Sequence, residues 1–478
     1  MKKNISVLTA SLLMVACATA FSSCKDDDLS KIYQGSMENG STDSSIDWID
    51  AADKSTDTFI RYFFKANPDD NSDKPLFVGN VRWILPDVIE SGNPPTATGY
   101  SGGGWSQGHG LDVVTDSYIR STDPEYRKKI REEVYAPFLV AYPYWNGRNF
   151  AGNNYDGKGW WNNFYDDMEW ACLATLRVYE EIKDEDPDLA QRYWDATMIQ
   201  WKFIQTADNG RAGGGLAWKW DSPNSRMSCS SGPGCLLAMK LYKVYKEEGK
   251  EADAEFCLDF AKRTYNWMTA WLCDTSTGQV YDNLGLKENG VDDEGNTVYV
   301  CGDPDKVALS YNQGTFMGSA LALYNATGEE EYLRNAISFA AYQINHKMDS
   351  DYPVFSGEGS NGDNQLFRGI FVRYFLDMLK QPTNDVYKES RKKKFAAALE
   401  GCADVLWTMG KAQNQYVFEN NWKVAPTLGN RGDENECKVE GNSEIPAATV
   451  IEIRARYENW KNGVETEKPN WVNPDLNK

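Results

Sequence analysis

Apolar residues recur at helical spacing through most of the chain, and turn-forming residues separate one periodic segment from the next. In two short segments apolar and polar residues alternate instead, as in β-strands: "QVYDNL" (Gln279–Leu284) and "YVFEN" (Tyr416–Asn420). We therefore expect an all-α protein. The predicted helices are Trp48–Lys65, Leu111–Arg120, Glu125–Val140, Asp167–Ile182, Pro187–Thr206, Pro233–Glu248, Ala252–Trp271, Gln313–Tyr324, Glu329–His346, Asp363–Leu379, Asp385–Met409 and Ile445–Tyr457.

The connections between these helices alternate in length. Some are short, such as "DEDP" (Asp184–Pro187) and "NATGEE" (Asn325–Glu330). Twelve helices with alternating short and long links predict six antiparallel pairs closed in a ring, an (α/α)6 barrel, with a cleft among the long loops. An open α-solenoid is the alternative, but the chain has no repeat of fixed period, which favours the ring. The long links, rich in Gly, Asn, Asp and aromatic residues, are Pro68–Gly110, Pro143–Tyr165, Ala207–Gly232, Asp274–Asn312 and Met348–Gly362.

The N-terminal segment has the features of a lipoprotein export signal. A basic start is followed by an apolar run and by "FSSC", which resembles a bacterial lipobox ending at Cys24. We assign residues 1–23 to the signal peptide, 24–45 to a flexible acidic tether and 46–478 to a single catalytic domain. The "KDDD" after the lipobox resembles the surface-export signal of Bacteroides-type lipoproteins. This predicts an outer-membrane lipoprotein that faces the surface or the periplasm, with the lipid as its only membrane attachment.

Charge and cysteine content narrow the possible partners. Lys and Arg number 50 against 70 Asp and Glu, so the net charge is -20, which disfavours nucleic acid and polyanionic substrates. The chain has two histidines, His109 and His346, and no CxxC pair, so we expect no metal site and no cofactor. Cys229 and Cys235 are the candidates for a disulfide in an exported protein. We expect a monomer.

The stretch "GWWNNFYDDMEW" (Gly159–Trp170) places two aspartates, Asp166 and Asp167, inside an aromatic cluster. The residues after them are apolar on most sides, as expected of a helix packed inside a barrel. The pair is therefore predicted at the N-terminus of a buried helix, at the mouth of the cleft.

That position predicts different roles for the two carboxyl groups. A helix N-terminus lowers the pKa of a carboxyl group, whereas a neighbouring carboxylate raises the pKa of the second. One charged and one protonated group is what a glycosidase needs. Adjacent side chains suit the separation of about 5–5.5 Å in retaining enzymes better than the roughly 6.5–9.5 Å of inverting ones. The alternative is a helix cap, with Asp166 capping and Asp167 serving the dipole.

Aromatic and polar residues near the predicted cleft are candidates for sugar contacts. Aromatic faces stack on the C–H surfaces of sugars, although core packing accounts for most of the 17 Trp. "SYNQG" places polar groups at a second loop-to-helix junction. His109 and Asp112 lack a Ser or Cys nucleophile setting and are interpreted as packing or substrate contacts. The candidate substrate-binding residues are Trp105, Trp160, Trp161, Asn163, Tyr165, Trp218, Tyr311, Asn312 and Gln313.

Four blocks of this sequence resemble the glycoside hydrolase family 76 α-1,6-mannanases. They are "NNFYDDMEWACLATLRVYE", "GGGLAWKW…SCSSGPGCLLAMKLY", "SYNQGTFMGSALALY" and "QLFRGIFVRYFLDML", within a similarity from about residue 48 to 460. The resemblance implies an (α/α)6 barrel and a retaining endo-acting mechanism on α-1,6-mannan, with Asp166 as nucleophile and Asp167 as general acid/base. The family's "SNGP"-like stretch reads "CSSGPG" (Cys229–Gly234) here, so contacts in that loop are expected to differ.

The sequence thus predicts a hydrolase of yeast-type α-1,6-mannan. Two alternatives are another glycosidase or transglycosylase on the same barrel, and a surface lipoprotein that binds glycan without cleaving it.

Overall fold

The computed structural model describes residues 45–66, 73–100, 104–149, 159–359 and 362–477. The predicted lipidation site Cys24 and nearly all of the tether lie outside these ranges. Twelve long helical segments follow one another in the described part, and each overlaps one of the predicted helices. They are α1 (Trp48–Phe63), α2 (Gly104–Arg120), α3 (Pro124–Ile130, the π-helical turn Arg131–Tyr135 and Ala136–Asn149), α4 (Tyr165–Ile182), α5 (Pro187–Ile204), α6 (Ser228–Glu247), α7 (Glu251–Trp271), α8 (Ser310–Thr327), α9 (Glu330–Lys347), α10 (Phe367–Lys380), α11 (Glu389–Val405, then the π-helical turn Leu406–Gly410) and α12 (Gly441–Lys461).

The even-numbered helices form a closed inner ring. Each packs against the next, from α2 through α4, α6, α8 and α10 to α12, and α12 packs against both α2 and α1. All residues of α2 are buried, whereas the outer helix α1 is amphipathic and buries one face. The closed contact of α12 with α2 confirms the predicted (α/α)6 barrel over the open solenoid.

Because helices alternate in direction, all inner helices begin at the same end of the barrel. Links from an inner to an outer helix are short, such as the three residues between α2 and α3. Links from an outer to an inner helix are long and carry the strands of the described chain. These are β1 (Phe64–Ala66), β2 (Pro75–Ile84), β3 (Thr96–Tyr100), β4 (Ser225–Met227), β5 (Cys273–Asp274), β6 (Gln279–Val280), β7 (Asn283–Val291), β8 (Thr297–Cys301) and β9 (Glu436–Glu440).

The strands form small antiparallel sheets over the long-link end. β2 pairs with β1, β3 and β9, with Val81 opposite Val439 across the β2–β9 pair. The predicted strand "QVYDNL" is split between β6 and the start of β7. The predicted strand "YVFEN" is wrong, since this segment makes a single bridge, Lys411 to Phe418. Its Phe418 amide donates instead to the Glu444 carboxylate at the start of α12.

Four inner helices begin three or more residues earlier than predicted, because their first turns contain glycine and polar residues that disguise the helical pattern. One is α12, which begins at Gly441 and not at Ile445. α2 begins at Gly104 and not at Leu111, α6 at Ser228 and not at Pro233, and α8 at Ser310. Glycine is required there by close helix contact. A Cβ on Gly108 would lie 3.0 Å from the Trp170 carbonyl oxygen, and one on Gly314 would lie 2.7 Å from the Phe371 Cα.

An ionic cluster fills the barrel axis below the inner helix starts. Asp116 is fully buried on α2 and accepts hydrogen bonds from Arg177 at 2.5 Å, from Arg456 at 2.7 Å and from Arg373 at 3.3 Å. Asp112, one helical turn earlier, accepts from Arg177 at 2.5 Å. This places Asp112 in a structural network that ties α2 to α4, α10 and α12.

The cysteines of the described residues are free thiols, so the suggested Cys229–Cys235 disulfide is wrong. Both lie on α6 and not in a loop, and Cys235 donates to the Ala261 carbonyl of α7. Within the described ranges, no helix is long and apolar enough to cross a membrane.

Candidate active site

A cavity of about 410 Å³ opens where the inner helices begin. Five of the six inner helices reach it with their first-turn residues: Gly104 and Trp105 of α2, Asp166 and Asp167 of α4, Cys229 of α6, Tyr311 of α8 and Phe367 of α10. The remaining lining residues are Trp145, Phe164, Trp170, Trp218, Met227 and Asp363. The cavity therefore has aromatic walls around three carboxyl groups.

Asp166 is held through one oxygen of its carboxyl group. Its Oδ2 accepts hydrogen bonds from the Trp218 Nε1 at 3.2 Å and from the Cys229 Sγ at 3.2 Å. Its Oδ1 is buried and has no hydrogen-bond partner in the structure. One oxygen is thus anchored by two side-chain donors, and the other has no hydrogen-bond partner.

Asp167 points into the same cavity with a different set of neighbours. Its Oδ2 accepts from the Asn162 Nδ2 at 3.2 Å. Gly104 faces this oxygen, since a Cβ there would lie 3.5 Å from it. Asp363, in the 3-10 turn Gly362–Gln365, accepts a hydrogen bond from the Trp105 Nε1 at 3.1 Å and also lines the cavity.

The start of α4 does not use Asp166 as its cap. The N-cap residue is Phe164, in an extended conformation, and the Phe164 amide donates to the Asn162 Oδ1 at 2.8 Å. The helix-cap interpretation of Asp166 is therefore wrong. The two aspartates occupy the first turn, where the positive end of the helix dipole favours negative charge.

Burial raises the pKa of both carboxyl groups, which differs from the lowered value expected for Asp166. The pKa of Asp166 rises to about 6, because burial outweighs the hydrogen bonds from Cys229, from backbone amides and from Trp218. The pKa of Asp167 lies well above its usual range, because of burial first and then the charges of Asp166 and Asp363. The predicted asymmetry is present: Asp166 ionises first and Asp167 holds its proton.

The predicted substrate contacts divide into two groups. Trp105, Trp218 and Tyr311 line the cavity, and the Tyr311 ring stacks on Phe367 with centroids 4.0 Å apart. The others lie outside the cavity lining. Trp160 and Trp161 pack in the core against Tyr142 and Phe203, and the Tyr165 hydroxyl bonds with the Thr206 hydroxyl.

The predicted amide contacts are occupied by the protein itself. Asn163 donates to Asp221 at 3.1 Å, and Asn312 donates to Asp282 at 3.3 Å. Gln313 is fully buried: it donates to the Gly278 and Phe339 carbonyls and accepts from the Val280 amide. Gln313 therefore joins α8 to β6 and α9, and its amide is not available to a sugar.

Comparison with known proteins agrees with this geometry. The family model described as glycosyl hydrolase family 76 matches residues 47–439. The chain belongs to glycosyl hydrolase family 76. That result confirms the resemblance drawn from the sequence, and it makes the paired aspartates part of a glycoside hydrolase fold.

Solved structures of family 76 proteins share the fold along most of this chain. The GH76A α-1,6-mannanase of Salegentibacter sp. HEL1_6 is 25% identical, with a TM-score of 0.63, and the match covers 86% of this chain and 99% of that one. An inactive variant of the same enzyme, with two consecutive aspartates replaced by asparagine, was solved in complex with α-1,6-mannotriose and matches with 24% identity.

A curated relative is the mannan endo-1,6-alpha-mannosidase DFG5 of Candida albicans. It is 23% identical over 321 residues, which cover 63% of this chain and 64% of the relative. The matched region thus spans somewhat less than two thirds of that relative.

Sequence reasoning missed three residues of this family 76 site. Asp363 and Cys229 lie within or beside quoted blocks, but a lone Asp and a lone Cys carry no pattern of their own. Glu169 lies one turn after Asp166, fully buried, with both carboxyl oxygens unpartnered. Burial first, and then Asp166, raises its pKa well above the usual range, so it is a neutral acid beneath the cavity. His109, by contrast, packs between Trp105 and Trp170, as one of its two interpretations had it.

Proposed function

We propose that this family 76 protein is an endo-acting, retaining α-1,6-mannanase in which Asp166 is the nucleophile and Asp167 the general acid/base. The observation that carries the proposal is the Asp166–Asp167 pair in the lining of an aromatic cavity, with different hydrogen-bond partners on the two carboxyl groups. The mannotriose complex of an Asn–Asn variant of a relative supports both the substrate and the importance of the pair.

The chemistry follows from the different protonation of the two groups. In the first step, Asp167 gives its proton to the glycosidic oxygen while the ionised carboxylate of Asp166 bonds to the anomeric carbon and the C–O bond to the leaving sugar breaks. In the second step, ionised Asp167 takes a proton from water, and the water oxygen displaces Asp166. Two inversions at one carbon give net retention, and Asp167 regains its proton.

The walls of the cavity suit a neutral polysaccharide. Trp105, Trp218 and Tyr311 present aromatic faces that stack on pyranose C–H surfaces. Trp218 also donates to Asp166, so the same indole can contact the sugar and hold the nucleophile. Trp220, two residues after Trp218, is 60% exposed and packs edge-on against Trp161.

Digestion of linear α-1,6-mannan tests the proposal. We expect products of mixed length early in the time course, because an endo enzyme cleaves inside the chain. Mannans with α-1,2 or α-1,4 links should remain uncut. Release of mannose alone from the first time points, or cleavage of the other linkages, would indicate a different glycosidase. Lengthened oligosaccharides would indicate a transglycosylase. Binding of mannan by calorimetry without any turnover would indicate a glycan-binding protein.

The pH dependence of kcat/KM should be a bell whose acid limb lies near pH 6. Activity requires ionised Asp166, whose pKa is about 6, and protonated Asp167, whose pKa is higher. Activity therefore rises as pH increases through about 6 and falls when Asp167 loses its proton. Initial rates at low substrate concentration across the pH range measure both limbs. An acid limb near pH 4, the usual range of a carboxyl group, would contradict the assigned burial effect.

We also propose, from the sequence, that the protein is an outer-membrane lipoprotein attached through Cys24. The support is the basic and apolar start followed by the lipobox-like "FSSC". Fractionation of cells that produce the full chain should place it in the membrane fraction, and Cys24→Ala should release it. An unchanged distribution of the variant would contradict lipidation at this residue.

A further inference from the structure

Cys229 lies in the first turn of α6 and is firmly positioned there. Its neighbour Ser228 donates its backbone amide to the Asp282 carbonyl at 2.9 Å and its hydroxyl to the Tyr281 carbonyl at 2.6 Å. The Cys229 side chain is 3% exposed and faces the cavity. The start of α6 is therefore fixed to the chain before β7, and the thiol has little freedom to move.

The thiol contacts one oxygen of the Asp166 carboxyl group. Its Sγ donates to Oδ2 at 3.2 Å, and the Trp218 Nε1 donates to the same oxygen at 3.2 Å. The two donors come from different segments, α6 and the loop before β4. Together they restrict rotation of the carboxylate.

We propose that Cys229 is a positioning residue, whose thiol fixes the orientation of the Asp166 carboxylate for attack on the anomeric carbon. The inference rests on the proposed role of Asp166 as the nucleophile. From the sequence, the stretch Cys229–Gly234 is expected to differ from the family in its contacts to the sugar. The role proposed here is instead a contact with Asp166.

Because several titratable groups surround Asp166, a hydrogen-bond donor is needed to stabilise its ionised form. The Cys229 thiol is such a donor, and it carries no charge. Asp167 and Glu169 lie on α4, Asp282 on the link before α8, Tyr311 on α8 and Asp363 before α10. Four of these five are carboxyl groups, and any of them that carries a charge disfavours ionisation of Asp166. Burial and Asp166 itself raise the pKa of the Cys229 thiol well above its usual range, so it stays protonated and able to donate.

Substitution of Cys229 tests the proposal through the pH profile. Cys229→Ala removes a hydrogen bond to the charged form of Asp166, which raises its pKa, so the acid limb of kcat/KM should move up by about half to one pH unit. The kcat should fall about tenfold, with little change in KM. Cys229→Ser restores a hydrogen-bond donor, so it should partly restore both the position of the acid limb and the kcat. Cys235→Ala, on the same helix but away from the cavity, should leave the acid limb in place.

A direct measurement separates this proposal from the function itself. The infrared difference between wild type and Cys229→Ala isolates the S–H stretching band of Cys229. That band should shift to higher frequency when the pH falls through about 6, because protonated Asp166 is a weaker acceptor. It should also shift in Asp166→Asn.

The outcomes are distinct for the two proposals. An unmoved acid limb in Cys229→Ala, or a band insensitive to pH and to Asp166→Asn, would overturn the role of Cys229. A wild-type protein that leaves α-1,6-mannan intact would overturn the proposed function. In that case the two infrared measurements, the pH dependence of the S–H band and its shift in Asp166→Asn, still decide whether the thiol holds Asp166.

Discussion

Asp166→Ala should lower the kcat for α-1,6-mannan by about four orders of magnitude, because no group remains to form the glycosyl-enzyme bond. Asp167→Ala should lower it by about 10²–10⁴-fold, since proton transfer is lost but the nucleophile remains. Asp195→Ala, an exposed aspartate on the outer helix α5, is the matched control and should keep wild-type activity.

Azide distinguishes the two roles. With an activated aryl α-1,6-mannobioside as donor, the leaving group needs no proton, so Asp167→Ala should form the glycosyl-enzyme. Azide then attacks that intermediate and gives an α-glycosyl azide. In Asp166→Ala, azide fills the place of the carboxylate and attacks directly, which gives the β-glycosyl azide. NMR of the products reads the anomeric configuration. If the two products are reversed between the variants, the roles of Asp166 and Asp167 are exchanged. Full activity in both variants would contradict the two-aspartate mechanism.

Asp116→Asn should destabilise the fold by about 3–5 kcal/mol, although Asp116 lies outside the cavity lining. Its carboxylate bonds with three guanidinium groups in the barrel axis and is fully buried. Asparagine keeps the shape and one acceptor oxygen but removes the charge. The three guanidinium groups then retain too little negative charge around them.

Urea unfolding followed by circular dichroism measures this loss as a lower transition midpoint. The control is Asp50→Asn, which breaks an ion pair with Lys54 in which both side chains are about half exposed. Solvent screens such a pair, so its midpoint should not change measurably. A midpoint for Asp116→Asn equal to that of the control would contradict a structural role for the axial cluster.

The fold was predictable because each helix pair of the barrel repeats the same sequence pattern, apolar residues at helical spacing followed by a link. The apolar period and the alternation of link lengths placed twelve helices and closed the ring. The same signal failed at the starts of α2, α6, α8 and α12, where close contacts require glycine, as at Gly108 of α2, Gly232 of α6 and Gly314 of α8, and so dilute the apolar pattern. These misplaced starts matter, because the first turns form the cavity.

The site was only partly predictable, for a physical reason. Asp166 and Asp167 stand out because two adjacent carboxyl groups in an aromatic setting need a use or a compensation. Trp161 and Gln313 looked equally suited to a sugar in sequence, yet the former packs in the core and the latter bonds to three backbone groups. Whether a loop aromatic or amide faces the cavity depends on long-range packing, which a local pattern does not contain.

The closure of the inner ring has a consequence for how the chain is made. α12 packs on α1 and α2, and its Glu452 accepts hydrogen bonds from Thr56 and Arg120 across more than 300 residues. The core therefore stays open along one side until the C-terminal helix is synthesised or exported. Contacts of such long sequence separation slow folding and leave apolar surface exposed meanwhile. The helix α12 thus completes the barrel last. A chaperone that shields the unclosed barrel would favour maturation of the protein.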